Sequence, residues 1–487
     1  MTVKVRFAPS PTGPLHIGGA RTVLFNWLFA RRHNGVFVLR SEDTDLERSS
    51  LKWEKEIADS LRWLGLNWDE GLEVGGPNGP YRQTERLEIY KEYLSRLWLG
   101  GHVYYCFCTP EELAKDREEA MAQGENPTYS GRCRQLTPAQ VEEKLAVGMQ
   151  PTIRFKVPEE TEIVLDDLIR GSVSFHSRDV GDFIIFKSDG IPTYNYAVVI
   201  DDITMGITHV IRANEHLVNT PRQILIYQAL GEELPQFGHV SIVLDASGRK
   251  MSKRMGDMSV GSYARRGYLP EAVVNFMALL GWSPGEEQEI MSLEELIRTF
   301  DLEHVSKSPG IFDEQKLDWV NNQYIRAADL DRLANLAQPH LQELPVGSRD
   351  WLKYVIAVVR DELNCLEQLP EHIRQFLPDA VPVQKEALPH LQPATAPLVL
   401  DEFVRRLGEM APEQDLYQWQ GQVQQLLKQL NKDMKKQAGI SGKSVYMPLR
   451  AAITGTDSGQ ELHYLIPILG RDRVCRRIEA SRRQVGI

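Results

Sequence analysis

Cysteine is scarce, at five in 487 residues. So few thiols in so long a chain exclude a disulfide framework and suit a reduced protein. Long hydrophobic runs are missing too. None approaches the ~20 residues that span a bilayer, which excludes a helical membrane protein and any membrane partner. The opening Met1–Phe7 alternates like a short strand and lacks the apolar stretch and cleavage site of a secretory leader, so the expected location is cytoplasmic. Internal repeats and low-complexity tracts are absent, which sets solenoids and arrays aside. An excess of positive charge is also lacking, the net charge being −11. That argues against a basic nucleic-acid binder as a whole. The last 87 residues nevertheless carry 14 Lys/Arg against 10 Asp/Glu, and a large RNA needs only local basic grooves.

What is present is a globular composition, 42% apolar and 25% charged. At ~100–200 residues per domain the length fits roughly three units. Val3–Ala8 reads as a strand, Pro9–Gly19 as a stiff Pro/Gly turn and Ala20–Arg32 as a helix stopped near Gly35. Val36–Arg40 reads as a second strand. Strand, loop, helix and strand open a parallel α/β sheet. Two amphipathic helices follow, through Trp53, Ile57, Leu61 and Leu64 and through Leu87, Tyr90, Leu94 and Leu97. Residues 104–186 break the rhythm with three cysteines, an acidic helix near Glu111–Gln123 and β-like runs at Thr152–Val157 and Gly181–Lys187. This is an insertion. The α/β pattern resumes at Tyr194–Asp201 and Thr208–Arg212, then a helix near Pro221–Leu230 and a strand at Val240–Leu244. Beyond about residue 330 strands nearly vanish. Leu416, Trp419, Val423, Leu426, Leu427 and Leu430 form a helical stripe, and five prolines between Pro378 and Pro397 read as a linker.

Two segments carry chemistry. In Pro9–Arg21 a strand ends, and a helix begins at Gly18-Gly19 with His16 just before it. A helix N-terminus offers unpaired N–H groups and about half a positive charge, and glycines let a phosphate approach the backbone. A lone His-x-Gly-Gly is more often a surface turn. Its place after the first strand of a parallel sheet, where such folds bind ligands, reverses that preference. The second segment is Lys250-Met251-Ser252-Lys253-Arg254, three cations in five residues after a strand and a turn. Such a loop suits a triphosphate, where catalysis is positioning and charge stabilisation. By itself it equally suits a solvated basic loop.

As a pair, His16-Ile17-Gly18-Gly19 and Lys250–Arg254 resemble the two signatures of class I aminoacyl-tRNA synthetases, in the right order at the two ends of a split α/β domain. Phe7–Arg21, Ser188–Tyr194 and His209–His216 look like the forms in bacterial glutamyl-tRNA synthetases. The resemblance covers essentially the whole chain. It implies a Rossmann-type parallel-sheet catalytic domain with an α+β insertion, followed by an all-α anticodon-binding region. The implied divisions are a catalytic first half (1–84), an acceptor-end insertion (85–188), a catalytic second half (189–240) and a stem-contact region carrying the lysine-rich loop (241–330). Two helical anticodon-binding subdomains (331–380 and 381–487) complete them.

The resemblance implies roles residue by residue. Arg6 and Arg212 contact the substrate glutamate, Arg212 on its side-chain carboxylate. Glu42 takes the α-amino group, and Ala8, Ser10 and Tyr194 complete the pocket. His16, Gly18, Gly19, Glu215 and Lys253 lie at ATP, and His16, Lys250 and Lys253 assist catalysis. The implied activity is glutamate–tRNA ligation through glutamyl-adenylate, with ATP and Mg2+ and with tRNA(Glu) as partner. A monomer is implied as well. Strict members discriminate partly through an arginine in the anticodon-reading helices. Asp361–Leu369 holds none, a hint that tRNA(Gln) is also accepted. Many bacterial members bind a structural zinc in the insertion, using a histidine two residues after the third cysteine. Here Cys106, Cys108 and Cys133 are present but that position is Gln135, not a usual zinc ligand. Tyr129, four residues before Cys133, resembles the tyrosine of a Cys-x-Cys…Tyr-x-x-x-Cys site in a shorter paralogue and is the candidate fourth ligand, but the expectation is a packed thiol knuckle without zinc. A nucleotidyltransferase of the same sheet superfamily would be shorter and lack the insertion and helical tail. An inactive paralogue would have lost His16, Lys253 or the pocket.

Overall fold

The computed structural model describes residues 2–45, 47–124, 126–249, 258–285, 288–411 and 415–487. They form two compact units: Met1–Arg265 with Pro270–Val320, and Arg266–Leu269 with Asn321–Ile487.

The first unit begins as the alternation requires. β1 (Lys4–Phe7) leads through the proline turn into α1 (Ile17–Arg32) and returns in β2 (Val36–Leu39), which pairs parallel with β1 at Arg6↔Val38. α1 is apolar nearly all round, with Val23, Leu24, Phe25 and Leu28 at 0% exposure, as a helix packed against a sheet and covered on its other side must be. It starts three residues before the expected Ala20, because His16 caps it. α2 (Leu51–Trp63), capped by Ser50, leads to β3 (Glu70–Gly71) parallel to β2, and α3 (Leu87–Leu99) follows.

The insertion comes next, with β4 (Val103–Cys106), α4 (Pro110–Ala122), α5 (Pro138–Ala146) and β5 (Thr152–Phe155). β6 (Glu162–Asp167), β7 (Gly171–His176), α6 (Ser177–Val180) and β8 (Phe183–Phe186) complete it. β4, β5 and β8 form an antiparallel sheet, and β6 and β7 form a hairpin. α4 and α5 both open on a threonine capping box with proline in the first turn, which satisfies the orphan N–H groups there. The hairpin was not legible in advance. Ile163 and Leu165 point inward, but the third inward position is the charged Asp167, which breaks the apolar alternation.

The parallel theme then resumes through α7 (Tyr194–Thr204), β9 (His209–Ala213), α8 (Thr220–Leu230) and β10 (Gln236–Val240). The Tyr194–Asp201 run is therefore helical. The single strand expected at Val240–Leu244 is two: β10, parallel to β9, and β11 (Val243–Leu244), which pairs with β12 (Gly310–Ile311). β9 is tied to β1 where Thr208 N–H donates to Lys4 O at 2.9 Å and Lys4 N–H donates to Thr208 Oγ1 at 2.8 Å. The C-terminal ends of β1, β2, β9 and β10 thus open on one side, where parallel sheets place their ligands.

The described elements of the second unit beyond residue 328 are helices and short helical turns. Its longest is Leu416–Ala438, which buries Trp419, Val423, Leu427, Leu430 and Met434 at helical spacing. The proline-rich segment is packed in rather than strung out. Val383 N–H donates to Gln484 Oε1 at 3.1 Å and Gln384 N–H to Gly455 O at 2.9 Å. Pro389 and Pro397 sit in the first turns of Leu388–Leu391 and Ala396–Glu409, where a missing N–H costs nothing. Among the described residues no helix is long and apolar enough to cross a membrane.

Candidate active site

α1 presents its N-terminus just past β1. His16 Nδ1 accepts the Gly19 N–H at 3.1 Å, so the proton of the neutral ring lies on Nε2, poised to donate. A side chain at Gly18 would press on that cap, its Cβ falling 3.3 Å from His16 Nδ1. The segment after the lysine-rich loop returns to the same place. Ile17 N–H donates to Met258 O at 3.3 Å and Val260 N–H to Leu15 O at 2.9 Å. On the other side of the loop, Asp245 accepts the backbone N–H groups of Ser247 and Arg249 at 2.8 and 2.9 Å. Lys250 and Lys253 themselves lie outside the described residues.

Beside the helix start, the predicted glutamate ligands converge. Arg6 lies on β1, Arg212 lies on β9, Glu42 follows β2 and Tyr194 opens α7. The Pro9–Pro11 turn is pinned over them. Glu42 N–H donates to Pro9 O at 2.9 Å and Ser50 N–H to Pro11 O at 3.0 Å, with Ala8 half-buried and Ser10 exposed. The charges of Arg212, Glu42 and Arg6 all act on the Tyr194 hydroxyl, whose pKa burial raises. That hydroxyl lies 3.0 Å from His216 Nδ1, and burial together with the Arg212 charge pushes His216 down to about 4, keeping it neutral. Glu215 is exposed on the short helical turn after β9.

A balanced ionic cluster surrounds this pocket. Arg6 Nε lies 3.2 Å from Asp202, and Arg40 lies 2.9 Å from Asp202, 3.2 Å from Glu42 and 3.5 Å from Asp201. Arg86 lies 2.6 Å from Asp201, which also accepts from Tyr90 and Gln83. Three guanidiniums thus face three carboxylates, as buried charges must. Asp201 and Asp202 were not foreseen. Their signal is a pair of adjacent acids ending the otherwise apolar α7.

Arg212 stands apart from that balance. It is 5% exposed. Its Nε donates to His239 Nε2 at 3.1 Å and its Nη2 to Thr220 Oγ1 at 2.8 Å, both neutral partners. Its Nη1 is buried and meets no acceptor among the described residues. Burial lowers its pKa from the ordinary arginine value. A buried donor left unmade costs about 1–3 kcal/mol, more for a charged group. An anion entering the pocket would relieve it, and a carboxylate fits a guanidinium best.

In the insertion, Cys106, Cys108 and Cys133 place their sulfurs within 4.8 Å of one another. The Tyr129 hydroxyl lies 3.5 Å from Cys106 Sγ and 3.4 Å from Cys108 Sγ. Four donor atoms at such spacings suit a tetrahedral ion with Zn–S bonds of about 2.3 Å. The Arg154 guanidinium lies 3.7 Å over the Tyr129 ring, a contact that favours an electron-rich phenol.

A split parallel sheet with a capped helix start at its open edge and an insertion between its halves is the catalytic architecture of a class I tRNA synthetase. Residues 2–319 match the family model for the catalytic domain of class I tRNA synthetases (E and Q), and residues 332–482 match an anticodon binding domain. The chain belongs to the glutamate–tRNA ligase family. It is 53% identical to the glutamate–tRNA ligase of Carboxydothermus hydrogenoformans, over 98% of this chain and 99% of that relative. It is 50% identical to that of Desulforamulus reducens, over 99% and 100%. Among solved structures, a glutamate tRNA ligase from Elizabethkingia meningosepticum in complex with its amino acid matches with a TM-score of 0.90 at 33% identity, covering 100% of both chains.

The pocket's acid gives a pH prediction. Burial raises the Glu42 pKa to about 7, partly offset by Arg40 and Arg6. With Glu42 as the α-ammonium receptor that the resemblance implies, binding would favour the charged form, so below pH 7 glutamate would displace a proton from it. The KM for glutamate is expected to rise as pH falls from 7.5 to 6, approaching tenfold per unit, and Glu42→Gln is expected to raise KM and flatten that profile. A wild-type KM independent of pH across this range would contradict it.

Proposed function

We propose that this chain activates L-glutamate with ATP to glutamyl-adenylate and transfers the glutamyl group to the terminal adenosine of tRNA(Glu). The observation that carries the reading is Arg212, a buried guanidinium with a donor unfilled at the edge of an otherwise balanced ionic cluster. Its membership of the glutamate–tRNA ligase family supports the same assignment.

In this reading Arg212 receives the side-chain carboxylate and Glu42 the α-ammonium. Arg6, Ala8, Ser10 and Tyr194 line the pocket between them. Glutamine would leave the buried guanidinium without its counter-ion, at about 3–5 kcal/mol. Aspartate, one methylene shorter, is rejected by only ~1–3 kcal/mol of shape. The α-carboxylate is left facing the start of α1. There the helix dipole, Gly18, Gly19 and the His16 Nε2–H stabilise the triphosphate, with Glu215 nearby. Magnesium bound to the nucleotide supplies further charge neutralisation.

The first step forms a bond from an α-carboxylate oxygen to the α-phosphorus, and pyrophosphate leaves. The second forms an ester from the 2′-hydroxyl of the terminal adenosine to the activated carbonyl, and AMP leaves with the bond electrons. No side chain forms a covalent intermediate. The roles implied for Lys250 and Lys253 fall outside the described residues. The helical second unit reads the anticodon, and the divisions at 84, 188, 240, 330 and 380 are the working domain boundaries. The same reading carries a cytoplasmic monomer.

Charging with radiolabelled glutamate and ATP tests the reading. Label is expected on tRNA(Glu), and also on tRNA(Gln), given the missing arginine in 361–369. Label on tRNA(Glu) alone marks a strict enzyme and overturns the second expectation. Label on neither overturns the function.

The cysteine cluster carries a separate expectation. Ligand type at Gln135 argues against zinc, whereas three sulfurs and a phenol converge closely enough to hold an ion. Metal analysis of the purified protein is expected to find one zinc per chain, lost in Cys133→Ser. A metal-free wild type would leave the cluster as a knuckle held by thiol and phenol contacts.

A further inference from the structure

Arg212 is held by groups that no part of the sequence reading assigned. In the parallel pairing of β9 and β10, Arg212 and His239 occupy matching register positions, so their side chains lie side by side on one face. His239 is 0% exposed. Its Nε2 lies 3.1 Å from Arg212 Nε and 3.1 Å from Thr220 Oγ1. Its Nδ1 lies 2.5 Å from Asp167 Oδ2. An arginine Nε–H is a donor only, so Nε2 accepts and the imidazole proton sits on Nδ1, pointing at Asp167.

Asp167 belongs to the insertion, at the end of β6. Its other oxygen is fixed by backbone N–H groups from Ile169 at 3.0 Å, Arg170 at 2.8 Å and His239 itself at 3.2 Å. Burial pushes its pKa up, but the bonds from His239 and the backbone more than offset this, and it stays ionised. Burial holds His239 neutral, against the pull of Asp167 and with the help of Arg212. The charged neighbours of His239 are Asp167, Arg212 and Arg170, whose Nε donates to its carbonyl at 3.3 Å.

We propose that Asp167 and His239 are positioning residues for glutamate: Asp167 locks His239 in the Nδ1–H tautomer, and His239 Nε2 clamps the Arg212 Nε so that Nη1 points into the pocket. The inference rests on the reading of Arg212 as the carboxylate receptor. The choice of a neutral acceptor matters. A carboxylate in the place of His239 would satisfy Arg212 electrostatically and blunt its demand for an anionic side chain. The imidazole fixes the guanidinium in place and leaves its charge uncompensated at contact distance. The negative charge sits one residue farther back, on Asp167, where it sets the tautomer. The same logic orients imidazoles in hydrolytic triads, where losing the carboxylate yields the wrong tautomer. It also means that the insertion, through the β6 end, supports amino-acid selection in the catalytic sheet.

The test is steady-state aminoacylation with variants of the full chain, measuring KM for glutamate and for ATP separately, with thermal unfolding alongside. His239→Phe keeps a ring but removes the acceptor. It is expected to raise the glutamate KM on the order of 10- to 100-fold, the range for a lost hydrogen bond to a charged group, with the ATP KM unchanged. His239→Gln is expected to recover most of that loss, since its amide oxygen accepts from Arg212. Asp167→Asn is expected to raise the glutamate KM as well, because an amide lets the imidazole turn an Nε2–H towards a donor. A glutamate KM in His239→Phe equal to wild type overturns the proposal. So does an equal rise in both KM values without recovery in His239→Gln. An Arg212→Gln control separates the two levels. If it abolishes glutamate use while His239→Phe leaves the glutamate KM at the wild-type value, the positioning role alone is wrong. If it too leaves glutamate use intact, the carboxylate-receptor reading falls with it.

Discussion

A guanidinium buried without its full set of acceptors is an unstable thing to build into a protein, and the catalytic unit is organised around tolerating one. Arg212 keeps two of its nitrogens on neutral partners and leaves the third without an acceptor among the described residues. Beside it Arg6, Arg40 and Arg86 pair with Glu42, Asp201 and Asp202, and the carboxylate of Asp167 is held off behind His239. On the proposed reading Arg212 asks for one anion at one place, and Glu42 beside it takes a cation once it is ionised. An amino acid with an acidic side chain would answer both.

The sheet makes this geometry possible. Parallel pairing brings the ends of β1 and β9 together through Thr208 and Lys4, so Arg6 and Arg212 arrive from strands far apart in sequence. The proline turn after β1 then does two jobs. It is pinned to Glu42 and Ser50 by backbone hydrogen bonds, closing over the amino-acid pocket, and it delivers His16 to the start of α1. The proposed amino-acid and phosphate sites are therefore neighbours, because one short loop joins them. A reaction between a carboxylate and a phosphorus needs little more than such proximity and charge stabilisation.

Much of this was legible in the sequence, and the reason is local. His16, Gly18 and Gly19 announce themselves through a strand–turn–helix pattern whose chemistry lies within a few residues. Arg6, Glu42 and Arg212 came from the resemblance to glutamyl-tRNA synthetases, and the fold sets them on or just past the parallel strands β1, β2 and β9. Asp167 and His239 were not legible, because their meaning depends on register between β9 and β10 and on a hairpin whose inward charge hides its own periodicity. Asp201 and Asp202 were missed because an acidic pair on a helix reads as solvated until the guanidiniums opposite are known. The proline segment near 378–397 misled for a related reason. Proline marks helix starts as readily as linkers, and only the packing of Val383, Ala387 and Leu391 decides between them. Gln135 speaks against zinc through residue type, and the fold brings Tyr129, already singled out by its spacing from Cys133, to the sulfurs of the cluster.

The most direct measurement is a crystal structure of this protein with L-glutamate bound. The account predicts the side-chain carboxylate within hydrogen-bond reach of Arg212 Nη1 and the α-ammonium on Glu42, with His239 and Thr220 keeping their present contacts. Glutamate lying in the reverse sense, or Arg212 Nη1 still without an acceptor in the complex, would contradict it.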